Sequence, residues 1–214
     1  MEKAVTSRIK RTCFRQPIQT VLCSGFLILL SFFPSLNARS EPSPSLSSID
    51  TLAKELNTPE ALEKFMGKKF HYVSDRLLFH QDEYWQTPEE ILARGAGDCE
   101  DYALFAEAIL KRNGYQVVIL SLFWDDNAHT VAVFEKNGTW GIFNLDKIQY
   151  TNARSLAELA DQINHEWMYV GVMRQEGMSG IISRKFQGRN AHDAGVTMIF
   201  PHLVPATAAS ATNS

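Results

Sequence analysis

The sequence predicts an α+β domain in which capped helices pack on an antiparallel sheet. Three observations carry this. Helix-start signatures cluster between Thr58 and Gly114, strand patterns follow from Tyr115 onward, and a short turn, "KNG", joins two of those strands as antiparallel neighbours. Hydrophobic residues make up 45% of the chain and aromatics 11%, enough for one packed core.

The first 15 residues carry Lys3, Arg8, Lys10, Arg11 and Arg15 against Glu2 alone. They run into an apolar stretch, Val21 to Phe33, followed by Pro34 and the small residue Ala38. Basic, apolar and small-residue regions in that order read as a secretory signal peptide over residues 1–38, cleaved near Ala38. Left uncleaved, Ile18 to Leu36 would serve as an inner-membrane anchor. Cys23 is no lipid-attachment site, because Leu22 precedes it where a small residue is needed. Residues 39–48, "RSEPSPSLSS", are Pro/Ser-rich and read as a linker, so the folded domain is expected over 49–176.

Thr58 before Pro59 and Thr87 before Pro88 each start a helix, and Glu90 completes a capping box with Thr87. Gly95 and Gly97 end the second of these, after which Asp98 caps a third helix that stops at Asn113-Gly114. Apolar residues at 102, 105, 106, 109 and 110 give that helix one buried face, and Cys99, three positions before Tyr102, shares it. The segments "YQVVILSLFW", "HTVAVFE" and "TWGIFNL" read as strands, Ser155 caps a further helix, and "EWMYVGVM" reads as a last strand. Residues 177–214 read as a tail, partly disordered.

Removing residues 1–38, with five basic residues and one acidic, takes the formal charge from −3 to −7. An acidic mature chain has no electrostatic case for nucleic acid. Cys13 and Cys23 leave with the signal, so Cys99 remains as a lone thiol in an oxidising compartment. It is placed in the first turn of its helix, where unpaired N–H groups and the positive dipole end favour thiolate. The competing reading is a small buried hydrophobe. Asp98, Glu100 and Asp101 beside it would raise the thiol pKa unless a cation or hydrogen bonds neutralise them.

Taking Asn137-Gly138 as a type I′ turn sets Lys136 opposite Thr139. Counting outward brings His129 opposite Asp146 as a close cross-strand pair, with Cα atoms about 4.5 Å apart. A histidine fixed by a carboxylate is a base, and with Cys99 it makes a Cys–His–Asp triad. The other histidines have no comparable partner, and no paired-cysteine or HExxH pattern points to zinc.

The strings "GDCEDYA" at 97–103, "YWQTPEE" at 84–90, "AHTV" at 128–131 and "NLD" ending at Asp146 resemble the bacterial transglutaminase-like cysteine proteinases. That resemblance covers about a third of the chain, from His71 to Asp146. It implies a papain-like core with Cys99, His129 and Asp146 as the triad, a periplasmic location and calcium held by Asp98 and Glu100. It further implies proteolysis of a protein substrate such as a surface adhesin, under a membrane-bound regulator. Helix capping by Asp98 and Asp101, with Glu100 solvated, is the competing account of the acids. The family reads Leu-Asp-Asn where this chain has Leu145-Asp146-Lys147. The Cys99 backbone N–H is the expected oxyanion donor, with the Trp85 indole N–H as a second; groove or core lining is the plainer role for that tryptophan. The same triad would serve a transglutaminase or deamidase acting on glutamine side chains, and a non-catalytic peptide-binding module could retain the fold.

Overall fold

The computed structural model describes residues Ile49–Ile199; the stretches read from the sequence as signal peptide and linker, and the last residues, lie outside it. The chain opens with helices α1 (Ile49–Glu55) and α2 (Pro59–Lys69), a short strand β1 (His71–Tyr72), and helices α3 (Asp75–Leu78) and α4 (Pro88–Arg94). Strand β2 (Ala96–Gly97) then leads directly into the long helix α5 (Cys99–Arg112). Four antiparallel strands follow, β3 (Gln116–Trp124), β4 (Asn127–Lys136), β5 (Thr139–Asn144) and β6 (Lys147–Thr151). Helix α6 (Leu156–Ile163), strands β7 (Tyr169–Glu176) and β8 (Ser179–Gln187), helix α7 (Gly188–Asp193) and a 3-10 turn (Val196–Ile199) complete it.

Local chemistry sets the helix starts. The Thr58 hydroxyl accepts from Ala61 N at 3.2 Å, and Thr87 and Glu90 form the reciprocal capping box, at 3.2 and 2.7 Å. Ser155 caps α6 through Glu158 N at 3.2 Å.

The strand order is β6-β5-β4-β3-β7-β8, antiparallel throughout, so the strand after α6 returns to the free side of β3. Side chains alternate between two cores. On one face Val117, Ile119, Phe123, Ala128, Ala132, Phe134 and Phe143 join residues of α1, α2 and α5. On the other, Leu120, Leu122, Val131, Val133 and Ile142 pack against Leu156, Leu159 and Ala160 of α6 and Ala191 of α7. The sheet is therefore covered by helices on both sides, which is the α+β architecture expected.

Residues 179–199, read from the sequence as tail, instead supply the sixth strand and close the second face. β8 is an edge strand whose residues are only partly covered, so "SGIISRKFQ" lacks the apolar alternation that marks a strand buried on one face. It is tied in at Gly180, where an added Cβ would lie 2.0 Å from Cζ2 of the buried Trp85 ring. Gly180→Ala is expected to destabilise the domain by about 1–3 kcal/mol through overpacking, read as a lower Tm in thermal melts.

Candidate functional site

The two glycines ahead of Cys99 have different causes. Gly95 ends α4 with φ +71°, in the left-handed region that favours glycine. At Gly97 a Cβ would meet Asp101 Oδ2 at 2.4 Å, so the approach of that carboxylate excludes any side chain. The strand pair β1–β2 holds this segment straight, with His71 N donating to Gly95 O and Val73 N to Gly97 O, both at 2.9 Å.

Asp98 is the N-cap of α5 and Cys99 its first residue. Asp101 reaches back so that Asp98 N donates to its Oδ2 at 3.2 Å. Gln86 N and Nε2 also donate to Asp101, at 2.8 and 2.6 Å, and Nε2 reaches Ala96 O at 3.0 Å. Arg94 Nε donates to Gln86 Oε1 at 3.1 Å. Gln86, to which the sequence reading gave no role of its own, thus clamps the start of the cysteine helix to the segment before it.

Cys99 is only 3% exposed, and its thiol donates to Glu100 Oε2 at 3.1 Å. Glu100 is itself buried, so the competing account in which it is solvated does not hold. Burial, reinforced by the charge of Glu83, pushes the Glu100 carboxyl up to about 8. Burial and the charge of Asp98 push Asp75 up to about 8 as well. Asp101 is raised to about 6 by burial, against the lowering effect of its hydrogen bonds from Gln86.

Ligand atoms of Asp75, Glu83 and Glu100 lie within 4.8 Å of one another, as do those of Asp98 with Cys99 and Glu100, and of Asp75 with Asp98 and Asp101. Asp75 Oδ1 is buried and accepts no hydrogen bond, although Oδ2 accepts from Tyr84 N. The carboxylates of Asp75, Glu83 and Glu100, an oxygen-only set with an orphaned buried oxygen on Asp75, fit a hard divalent cation. Asp98 and Glu100 were the expected members; Asp75 starts α3 and Glu83 comes from the loop before α4, and only the fold gathers them.

Trp85 is 1% exposed and its indole Nε1 donates to Glu83 Oε1 at 2.7 Å. That N–H is committed to an acid of the cluster, so the tryptophan is core packing here and not an oxyanion donor.

The expected β4–β5 register is present: Asn137 and Gly138 both have positive φ, and Lys136 pairs with Thr139 through to Ala132 with Phe143. There the ladder stops. β5 ends at Asn144, which pairs with Lys147 of β6, and Leu145 takes φ +53° in a two-residue turn that carries Asp146. The turn diverts Asp146 from the cross-strand position opposite His129. His129 Nε2 instead bonds Asn144 Oδ1 at 2.7 Å. The Asp146 side chain lies beside Lys147 Nζ, 3.0 Å away, and against Gly67 of α2, where a Cβ would fall 2.8 Å from its Oδ2. Tyr102, one turn along α5 from Cys99, has its phenol raised by burial and then by the Asp146 charge. The structure thus sets Cys99 among the acids, Asp146 on the side of α2 and α5, and His129 at the flank of β4 that β5 leaves unpaired.

A thiol in the first turn of a helix, laid over an antiparallel sheet with a histidine on a central strand, defines an α+β domain of thiol-bearing type. A family model described as a transglutaminase-like domain matches residues 46–166, more than half of the chain. The chain belongs to the transglutaminase-like family. A UPF0252 protein of Pyrococcus furiosus is 32% identical over 117 residues, 52% of this chain and 33% of the relative. A UPF0252 protein of Archaeoglobus fulgidus is 33% identical over 69 residues, 31% of this chain and 22% of the relative. The chain therefore spans a third or less of the length of these curated relatives. Among solved structures, Legionella pneumophila LapG is 20% identical with a TM-score of 0.38, covering 62% of this chain and 77% of that one. Its calcium-bound form also gives 20% and 0.38, covering 64% and 79%. At that distance the likeness carries no functional argument.

Proposed function

We propose that the protein is a cysteine endopeptidase acting outside the cytoplasm, with Cys99 as nucleophile and His129 as base. The observation that supports this best is the placement of the chain's single described cysteine as the first residue of α5, its helix start over-determined by Asp98, Asp101 and Gln86. A thiol so placed gains thiolate character from the helix terminus. The Cys99 thiolate attacks the scissile carbonyl, forming a thioester as the peptide C–N bond breaks. The imidazolium of His129 gives its proton to the leaving amine, and water then releases the acid and restores the thiol. The Cys99 backbone N–H, at the open end of α5, is the donor proposed for the developing oxyanion. The imidazole and thiol have different partners, Asn144 and Glu100, and by strand alternation His129 shares the α6-facing side of β4 with Val131 and Val133, so this reading requires the start of β4 to rearrange before the two groups meet.

The acid cluster is proposed to hold calcium through Asp75, Glu83, Asp98 and Glu100. When bound, the cation supplies positive charge that lets these buried carboxylates ionise beside the thiol. The pattern of residues 1–38 supports an extracytoplasmic location, where a surface adhesin is the proposed substrate and a membrane-bound protein the proposed regulator. Among the described residues no helix is long and apolar enough to cross a membrane.

Family membership also favours a second outcome for the same acyl-enzyme, transfer to an amine. Incubating the protein with a glutamine-containing peptide, with and without a primary amine, separates the two by product mass. Peptide cleavage unaffected by the amine is the expected result. An amine adduct on the glutamine side chain would show a transglutaminase, and loss of ammonia alone a deamidase. No product of any kind would favour a binding module.

A further inference from the structure

We infer that Gln175 of β7 is a positioning residue for the cysteine site: its side-chain amide ties the Trp85–Gln86 segment to the β7–β8 hairpin and so holds the start of the cysteine helix from outside it. This rests on the proposed reading of Cys99 as the nucleophile. Gln175 Nε2 donates to Trp85 O at 3.0 Å, with a longer contact to Gln86 O at 3.5 Å. Trp85 N, on the other side of the same residue, donates to Met178 O at 3.0 Å. The hairpin thus takes up both the N–H and the C=O of Trp85, in the stretch between α3 and α4 where the chain forms neither helix nor strand.

The β7–β8 register explains the choice of residues. Gln175 pairs with Gly180 across the ladder, so both stand on the face of the hairpin that meets Trp85. Gly180, lacking a side chain, lets the Trp85 ring lie against the strand backbone. Gln175 places a donor beside it. One member of the pair seats the ring, and the other fastens the backbone that carries it.

From that seat the segment reaches the site. Trp85 Nε1 donates to Glu83 Oε1 of the acid cluster at 2.7 Å, and Gln86 N and Nε2 donate to Asp101 at 2.8 and 2.6 Å. Asp101 also accepts from Asp98 N, at the start of α5. A donor on β7 is therefore linked through two residues to the first turn of the helix that carries Cys99, although Gln175 stands 90 positions from Trp85 in the chain. Removing that donor leaves a carbonyl of the loop without its partner, and the loop relieves the cost by shifting.

The test uses the full chain labelled with ¹⁵N, with Gln175 replaced in two ways. Gln175→Ala removes the side chain; Gln175→Met keeps its bulk without the donor and covers a failure of the alanine variant to fold. In both, the indole N–H signal of Trp85, assigned by its loss in Trp85→Phe, is expected to shift, together with the Gln86 side-chain amide and the Asp98 backbone amide. The Trp167 indole, bonded to Asp161, should stay in place. Arg174→Ala, on the exposed opposite face of the same strand, should leave all of these signals where they are. For peptide hydrolysis, both Gln175 variants are expected to lower kcat about tenfold with KM little changed, as misplacement of a catalytic group does. Signals of Trp85 and Gln86 that stay in place would overturn the tether, and a methionine variant that behaves as the unsubstituted protein would show that bulk, not the donor, holds the segment. Shifted signals with kcat unaltered would overturn the bearing of the tether on the site. Failure of the peptidase reading would appear separately, as hydrolysis retained in Cys99→Ala, and would leave the Gln86 and Asp98 signals as the measure of positioning.

Discussion

Replacing Cys99 by alanine is expected to abolish peptide hydrolysis, a fall of about 10³-fold or more in kcat, while the domain stays folded. The size follows from the chemistry: without sulfur there is no thioester, and no other described cysteine can substitute. The fold should survive because Cys99 contributes one small buried side chain. The helix start depends on Asp98, Asp101 and Gln86, which the substitution leaves alone. Removing a sulfur from a packed site should cost no more than about 1–2 kcal/mol, visible as a small drop in Tm. A variant that still cleaves would show that Cys99 is not the nucleophile, and one that unfolds would show that the thiol is structural. His129→Ala is expected to lose hydrolysis similarly, since the leaving amine then has no positioned proton donor.

The second large effect concerns the acid cluster. Stripping divalent ions with a chelator and then adding calcium at about one hundred times its Kd should stabilise the folded protein by about 2.7 kcal/mol. For a domain of this size that corresponds to a rise in Tm of roughly 5–10 °C. The cause is burial: the carboxyls of Asp75 and Glu100 are pushed up to about 8 when no cation shares their space. A divalent ion replaces those protons and gives Asp75 Oδ1 the partner it lacks. Glu100→Gln should remove most of the calcium-dependent rise without lowering the Tm of the chelated protein, because a buried neutral amide has no charge to desolvate. A Tm indifferent to calcium in the unsubstituted protein would leave the cluster as capping and buried hydrogen bonding alone.

What could be read in the sequence was local. Thr58, Thr87, Asp98 and Ser155 mark helix starts because a cap is made within three or four residues. Asn137-Gly138 marks a hairpin because both positions need positive φ. That turn also gave the β4–β5 register correctly as far as it runs. What could not be read depended on where a ladder ends and what lies across it. The sequence "NLDK" gives no warning that Leu145 adopts a left-handed conformation, since a leucine there is uncommon. One such residue turned the expected His129–Asp146 pair into His129–Asn144. Asp75 and Glu83 stand 15 or more residues from Cys99 in the chain, and only the packing of α3 and its following loop against α5 brings their oxygens to Glu100. β8 and α7 were missed because an edge strand and a short helix bury too little to impose a period on the sequence.

The nucleophilic role of Cys99 can be put to one measurement. The full chain, with calcium added, is incubated with a peptide bearing a terminal electrophile that reacts only with an activated thiol, and the adduct is located by intact-protein and fragment mass spectrometry. One adduct per chain, placed on Cys99 and suppressed by His129→Ala, is the predicted result. A protein that stays unlabelled under conditions where it still cleaves peptide, or an adduct that forms equally well without His129, would contradict it.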